Sequence, residues 1–273
     1  MQQLLNTVVF VGSVFLLGSC HSEAPTSEPT PTKEQTTTTA TTTSQKLSFV
    51  TTTIQETIGD CKESCLEVNI AFPSVKEGDS TVQQNINSTI EAAIIETLDP
   101  GEPGESNPSI EIALDDFIDK YNSITPSLQG EKPSWAFRTN GKITHASNEL
   151  IAIRLNEQIK NGGDKPTEVV VLFNFDPSNG QQLGIQDLIS DTQTLQTIAE
   201  KNMRQQLKLS ANAPFSKAGI QFPNNQFAVS GNVSVDKENL ILYYTPMELG
   251  EKRQEALEIK ISKNEVKQIL KRN

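Results

Sequence analysis

From His21 to about Gln45 the chain offers nothing to bury. The stretch is Thr, Ser, Pro, Glu and Gln, with Pro25, Pro29 and Pro31 ahead of a nearly pure threonine tract from Thr36 to Thr43. Without an apolar face it cannot offset the conformational entropy lost on folding, so residues 20–45 are predicted to be a disordered tether. About 25 flexible residues have a root-mean-square span of roughly 25 to 30 Å. A threonine-rich glycosylated stalk is the stiffer form this composition can take. Either way, the fold must come from about Lys46 onward, a length sufficient for one large or two small domains.

Ahead of the tether, Val8 to Leu17 is almost unbroken apolar. That is the length of a signal-peptide core and too short for the roughly 20 residues of a spanning helix. Leu17, Gly18 and Ser19 stand just before Cys20, and this placement resembles the bacterial lipobox. The resemblance implies a lipoprotein signal peptide over residues 1–19, recognised through Leu17, Gly18 and Ser19, with the Cys20 thiol receiving a diacylglyceryl group and Cys20 left as the first mature residue. Met1-Gln2-Gln3 departs from the pattern, since the terminal amine is the sole positive charge there. The expected location is the bacterial cell envelope, with the protein lipid-anchored through Cys20 and facing the periplasm.

The chain carries 23 Lys and Arg against 34 Asp and Glu, a formal charge of −11. Nucleic acid is disfavoured as a partner, because phosphate binding needs a basic stripe. The local basic excess is the Lys260 to Asn273 tail, where Lys263, Lys267, Lys271 and Arg272 read as the solvated end of a terminal helix. An acidic surface favours cationic partners without identifying one.

With Cys20 assigned to lipid, Cys61 and Cys65 remain, an even pair in an exported chain and therefore a predicted disulfide. Val50, Thr52, Ile54 and Ile58 precede them in a strand-like pattern. Leu66, Val68, Ile70 and Phe72 alternate with polar or small residues after them. The pair then closes a hairpin whose three-residue loop brings two Cα atoms to about 5.5 Å. The spacing is one residue longer than a CxxC redox motif, and two thiols fall short of a tetrahedral metal site.

Beyond the hairpin, strands and helices alternate. Asp79 or Ser80 can cap a helix with the stripe Val82, Ile86, Ile90, Ile94 and Leu98, stopped by Pro100-Gly101. After a loop from Asp99 to Pro108, Ile110, Leu114, Phe117, Ile118 and Tyr121 mark a second helix ending near Pro126. Strands are read at Trp135 to Arg138, at Ile143 to His145 after an Asn140-Gly141 hairpin turn, and at Leu150 to Leu155. The rest reads as a strand over Glu168 to Phe175, a turn over Asp176 to Gly180, and a helix from Asp191 to about Leu209. Further strands are expected at Phe227 to Val229, Leu240 to Tyr244 and Leu257 to Ile261, before a terminal helix. The pattern predicts an α+β class with antiparallel sheets packed on helices, in two mixed lobes, residues 46–160 and 161–273.

At this level the chain resembles a known pairing of domains. Val171 to Gly180, followed by Leu183 and Ile185-Gln186-Asp187-Leu188-Ile189, is similar to the signature of the RsiV-like domain of unknown function. Phe227-Ala228-Val229, Asn239 to Tyr244 and Pro246 to Gly250 resemble its final hairpin. Cys65 through Pro73, the Val82 to Leu98 helix and Trp135 onward resemble the domain beside it in PdaC-type deacetylases. The chain departs from that family at Gly162-Gly163-Asp164-Lys165, where the family often reads Gly-Gly-Ala-His, and at Glu251 to Glu255, where glycines are usual. The resemblance implies an envelope binding or sensing module, with a lysozyme-type enzyme or peptidoglycan as ligand.

Catalytic constellations are sparse, and no catalytic residue, metal ligand or cofactor is assigned. The two histidines are His21, beside the lipid site, and His145, in a strand. Gly78-Asp79-Ser80 lacks the G-x-S-x-G turn and suits a helix cap. Asp115, Asp116 and Asp119 form a carboxylate patch that an early helical turn already explains. Gly162-Gly163 lacks the spacing of a dinucleotide loop. Asn87-Ser88-Thr89 and Asn232-Val233-Ser234 match the N-glycan acceptor, which a bacterial lipobox argues against. The expected function is non-enzymatic binding or sensing. The alternatives are a glycan-active hydrolase using Asp115, Asp116 or Asp119, and a scaffold lipoprotein of an envelope complex.

Overall fold

A computed structural model describes residues 47–98, 109–124, 134–162, 165–250 and 252–272. The expected signal peptide, Cys20, the expected tether and the Asp99 to Pro108 segment lie outside the described residues. The first sheet has five strands in chain order: β1 (Ser48–Asp60), β2 (Ser64–Glu77), β3 (Trp135–Ala146), β4 (Ile151–Lys160) and β5 (Thr167–Phe175). All neighbours are antiparallel except β2 and β3, which run parallel from Leu66 opposite Trp135 to Ala71 opposite Asn140. A parallel pair needs a crossover. Here the crossover carries α1 (Ser80–Leu98) and α2 (Ile110–Ile124), which cover one face of the sheet.

The periodicity explains that cover. Val82, Ile86, Ile90, Ile94 and Leu98 fall at helical spacing on α1, and all are buried. Each such side chain contributes about 1.5–3 kcal/mol on burial. They meet the inward residues of the strands: Leu66, Val68, Ile70 and Phe72 of β2, Phe137 of β3, and Ile151, Ile153 and Leu155 of β4. On α2, Phe117 and Tyr121 pack on Trp135 with ring centroids 5.3 and 5.8 Å apart. Asp79 caps α1, its Oδ1 accepting from the N–H groups of Thr81 at 2.9 Å and Val82 at 3.2 Å.

The second sheet is β6 (Val233–Val235), β7 (Asn239–Tyr244) and β8 (Leu257–Ser262), antiparallel throughout. One of its faces buries Leu240, Leu242, Tyr244, Ile259 and Ile261 beside Leu195, Ala199 and Met203 of α4 (Thr192–Gln206). The other face sets Ile241 and Tyr243 against Leu172 of β5. The order of layers is therefore helices, first sheet, second sheet, helix. Two one-turn helices, α3 (Ile185–Leu188) and α5 (Pro246–Leu249), precede α4 and β8. The two expected sheets and their helices are present, and the class is α+β.

Four local readings need correction. The seam near residue 160 falls inside the first sheet: β5 pairs with β4 from Ile159 opposite Thr167 to Ile151 opposite Phe175, so the chain changes sheets after Phe175. Asn140-Gly141 is no turn but the middle of β3, with Gly141 opposite Leu155. A Cβ at Gly141 would stand 2.7 Å from Pro73 Cδ and 2.8 Å from Leu155 Cδ2, so close approach, not a turn, selects glycine. Phe227 to Val229 is not a strand. Phe227 instead joins Phe215, Phe222 and Tyr244 in an aromatic cluster, and the strand begins at Val233. The terminal helix is a single turn, α6 (Lys263–Val266), so Lys267, Lys271 and Arg272 lie past its end.

Candidate functional site

The outward faces of β4 and β5 carry Arg154, Asn156, Gln158, Glu168 and Val170, and the second sheet lies over only part of this surface. Where it stops, a groove of about 720 Å³ opens, bordered by those residues and by Thr167, Tyr243, Pro246, Glu255, Ala256 and Glu258. Strand alternation builds it: Arg154 and Asn156 point away from the helices because Ile153 and Leu155 point toward them.

Arg154 organises the floor. Its guanidinium pairs with Glu258 of β8, its Nε donates to Asn156 Oδ1 at 2.8 Å, and it stands 5.8 Å from the Tyr243 ring centre. Lys260 Nζ lies 3.4 Å from the other Glu258 oxygen. Gln158 Nε2 donates to Glu168 Oε1 at 3.0 Å. Burial pushes the Tyr243 phenol up, with the Arg154 charge working against that rise. The rim carries Glu168 and Glu255, both exposed, so the groove opens on carboxylates while its guanidinium is held by Glu258. Met247, 92% exposed, follows Pro246 at the border. Chemically this is a cleft for a cationic or hydrogen-bonding group beside an apolar contact.

The seam between the sheets is made by side chains reading main chain. Asn174 Nδ2 donates to the Val233 carbonyl at 2.7 Å, and Ser234 Oγ donates to Asn174 Oδ1 at 2.8 Å. The two candidate glycan acceptors serve the same kind of purpose. Asn232 bonds the main chain of β5 through both amide atoms. Asn87 accepts from the Val75 N–H at 2.8 Å and donates to its carbonyl at 3.1 Å. The tail is a strap: Lys271 Nζ donates to the Gln186 carbonyl at 2.7 Å, and Arg272 Nη1 lies 2.8 Å from Asp176 Oδ2.

Among the candidates read from sequence, Cys61 and Cys65 form a disulfide across the β1–β2 hairpin tip, Cα to Cα 4.7 Å. Leu17, Gly18, Ser19, Cys20 and His21 lie outside the described residues. Asp115 and Asp119 are exposed on α2 and Asp116 is half-buried, and none borders the groove. His145 follows a bulge in β3. Among the described residues no three His, Cys, Asp or Glu side chains come together as a metal site. No described helix is long and apolar enough to cross a membrane. A second groove, about 550 Å³, runs along α4, but its Arg204 is already bound to Glu200 and lies 4.2 Å from the Phe215 ring centre.

The sequence reading missed the groove and one further group, Glu157. This residue is buried on the helix-facing side of β4, where its carboxylate accepts from Thr97 Oγ1 at 2.7 Å and Thr139 Oγ1 at 3.3 Å. Burial raises its pKa to about 7, with the two threonines working against the rise and Glu96 adding to it. A signal existed: the inward run Ile151, Ile153, Leu155, Glu157, Ile159 contains one carboxylate.

Comparison with known proteins gives a fold. No protein-family model matches the chain, and no curated protein matches it in sequence. Two crystal structures of DUF3298-family proteins are similar to it. One, from Bacteroides fragilis, superimposes with a TM-score of 0.63 at 17% identity, covering 82% of this chain and 93% of that one. The other, from Pseudomonas aeruginosa, gives 0.59 at 19% identity, covering 84% and 96%. The chain thus shares the fold of an uncharacterised domain family.

Proposed function

We propose that this protein is a non-enzymatic binding or sensing module of the bacterial cell envelope, anchored to the membrane by lipid on Cys20, with the inter-sheet groove as its ligand site. The carrying observation is the groove's charge arrangement: Glu168 and Glu255 stand exposed at the mouth, whereas Arg154 is engaged by Glu258. Together with the net charge of −11, this favours a cationic partner. A lysozyme-type enzyme is the concrete ligand that the RsiV-like resemblance suggests, and peptidoglycan fragments are the other.

Titration of the full chain, solubilised with its anchor, against lysozyme tests the reading. Saturable binding should persist at moderate salt and weaken at least tenfold when Glu168 and Glu255 are both changed to Lys. Binding that vanishes at moderate salt, or is indifferent to that pair, is non-specific attraction and rejects the groove. Anchoring is tested separately: Cys20→Ala should abolish lipid labelling and release the protein from membranes.

A further inference from the structure

The groove leaves the opposite edge of the first sheet without a role. β1 is that edge, 13 residues long, and among the described residues no strand pairs with its outer side. Sheet edges are ordinarily protected by shortness, lysine or proline. From Val50 to Ile58 this edge has neither lysine nor proline and one charge, Glu56. Val50 is 41% exposed, and Ile54 and Ile58 are half-buried, each opposite a β2 residue on one flank and facing the open edge on the other.

The side-chain pattern of this edge is self-complementary. Val50, Ile54 and Ile58 fall on one side of the strand by alternation, at equal spacing, with Thr52 and Glu56 between them, and Ile54 and Ile58 pack against the helix-covered core. Antiparallel pairing of two copies about an axis through Ile54 sets Ile54 on Ile54, Val50 on Ile58 and Thr52 on Glu56. On the other face Thr51 meets Thr57, and Thr53 meets Gln55. From Val50 to Ile58 every apolar side chain meets an apolar one, and Phe49 falls opposite Gly59. The two Glu56 carboxylates fall four residues apart along the strands, about 14 Å at ~3.4 Å per residue, beyond the ~10 Å screening length at moderate salt. Moving the axis to Thr53 opposes Val50 to Glu56. Moving it to Gln55 opposes Ile54 to Glu56 and Val50 to Asp60. Of these three registers the one centred on Ile54 is favoured, and because it is symmetric it closes as a dimer.

We propose that the β1 edge docks a second copy of this chain, with Ile54 on the two-fold axis, joining two five-stranded sheets into one continuous sheet. The test uses the full chain with Cys20→Ala, so that no other free thiol competes. Ile54→Cys places two thiols at directly opposed positions, where Cα atoms are about 4.5–5.5 Å apart and within disulfide reach. Mild oxidation should give a covalent dimer with Ile54→Cys and not with Thr53→Cys, and a hetero-disulfide when Val50→Cys and Ile58→Cys chains are mixed. Sedimentation should report twice the monomer mass for the parent and for Ile54→Val, and the monomer mass for Ile54→Lys. The cysteine pairs keep the test decisive even if Ile54→Lys fails to fold. A monomeric parent with no Ile54→Cys cross-link overturns the proposal. Equal cross-linking of Ile54→Cys and Thr53→Cys does so as well. So does a monomer whose β1 amides resist hydrogen exchange, which would place the chain's own threonine tract on the edge.

Discussion

The Asn232 carboxamide lies against Val170, donating through Nδ2 to its carbonyl at 2.7 Å while Oδ1 accepts from the neighbouring Leu172 N–H at 3.0 Å. One side chain thus does for the outer edge of β5 what a short strand would. Together with Asn174 and Ser234 it fixes how the second sheet meets the first, and hence the width of the groove.

Asn232→Ala should leave two main-chain groups without partners at a half-buried seam, a loss of about 1–3 kcal/mol. Asn232→Asp keeps the acceptor but not the donor and should fall between the two. Urea denaturation monitored by circular dichroism measures the series.

Glu157 makes stability depend on pH. Its folded pKa is raised from 4.5 to about 7, so the native state holds a proton that the unfolded chain has released over that window. Stability is therefore fullest below pH 4.5 as far as this group is concerned, falls as pH rises toward 7, and levels off above it. Glu157→Gln should abolish that slope. The variant should gain up to about 3 kcal/mol relative to the parent above pH 7 and differ little at the acid end. Melting temperatures of both proteins across the range check this.

Gly141→Ala should destabilise by about 1–3 kcal/mol through overpacking, because the new methyl would press on Pro73, Leu155 and, at 3.0 Å, the Phe72 Cα. Pairing Gly141→Ala with Leu155→Val should recover part of the loss. Failure of that recovery would point to the backbone contact with Phe72 as the governing one.

Cys61→Ser should cost about 2 kcal/mol, as expected for opening a small ring, without loss of the fold. The hairpin retains its pairing from Ile58 opposite Leu66 outward and the burial of Leu66, Val68 and Ile70. Amide exchange should accelerate at Asp60 to Ser64 and stay unchanged at Val68 to Phe72.

What was legible in the sequence was local. The four-residue spacing of Val82, Ile86, Ile90, Ile94 and Leu98 admits little but a helix, and five positions from Cys61 to Cys65 hold little but a hairpin tip. Asn140-Gly141 misleads because its glycine answers to Pro73 and Leu155, which no window around it contains. The place of β5 is hidden for a similar reason: alternation says that Glu168 to Phe175 is a strand but not that Ile151 to Ile159 is its neighbour. The groove was the least legible part. It depends on Arg154 meeting Glu258 and on Tyr243 meeting Leu172, pairings that exist only once two sheets have stacked.

The parallel joint between β2 and β3 has a kinetic consequence. On either side of it the chain needs only near neighbours: β1 turns back on β2, and β3, β4 and β5 follow one another as a meander. At the joint, Leu66 must find Trp135 across the whole stretch that carries both helices. Closing so large a loop before its contacts form is slow relative to zipping a hairpin. Assembly is then expected to end with the meeting of the two halves. A substitution along the Val68–Phe137 line is expected to slow the arrival of the native state, whereas one in β5 chiefly hastens its departure.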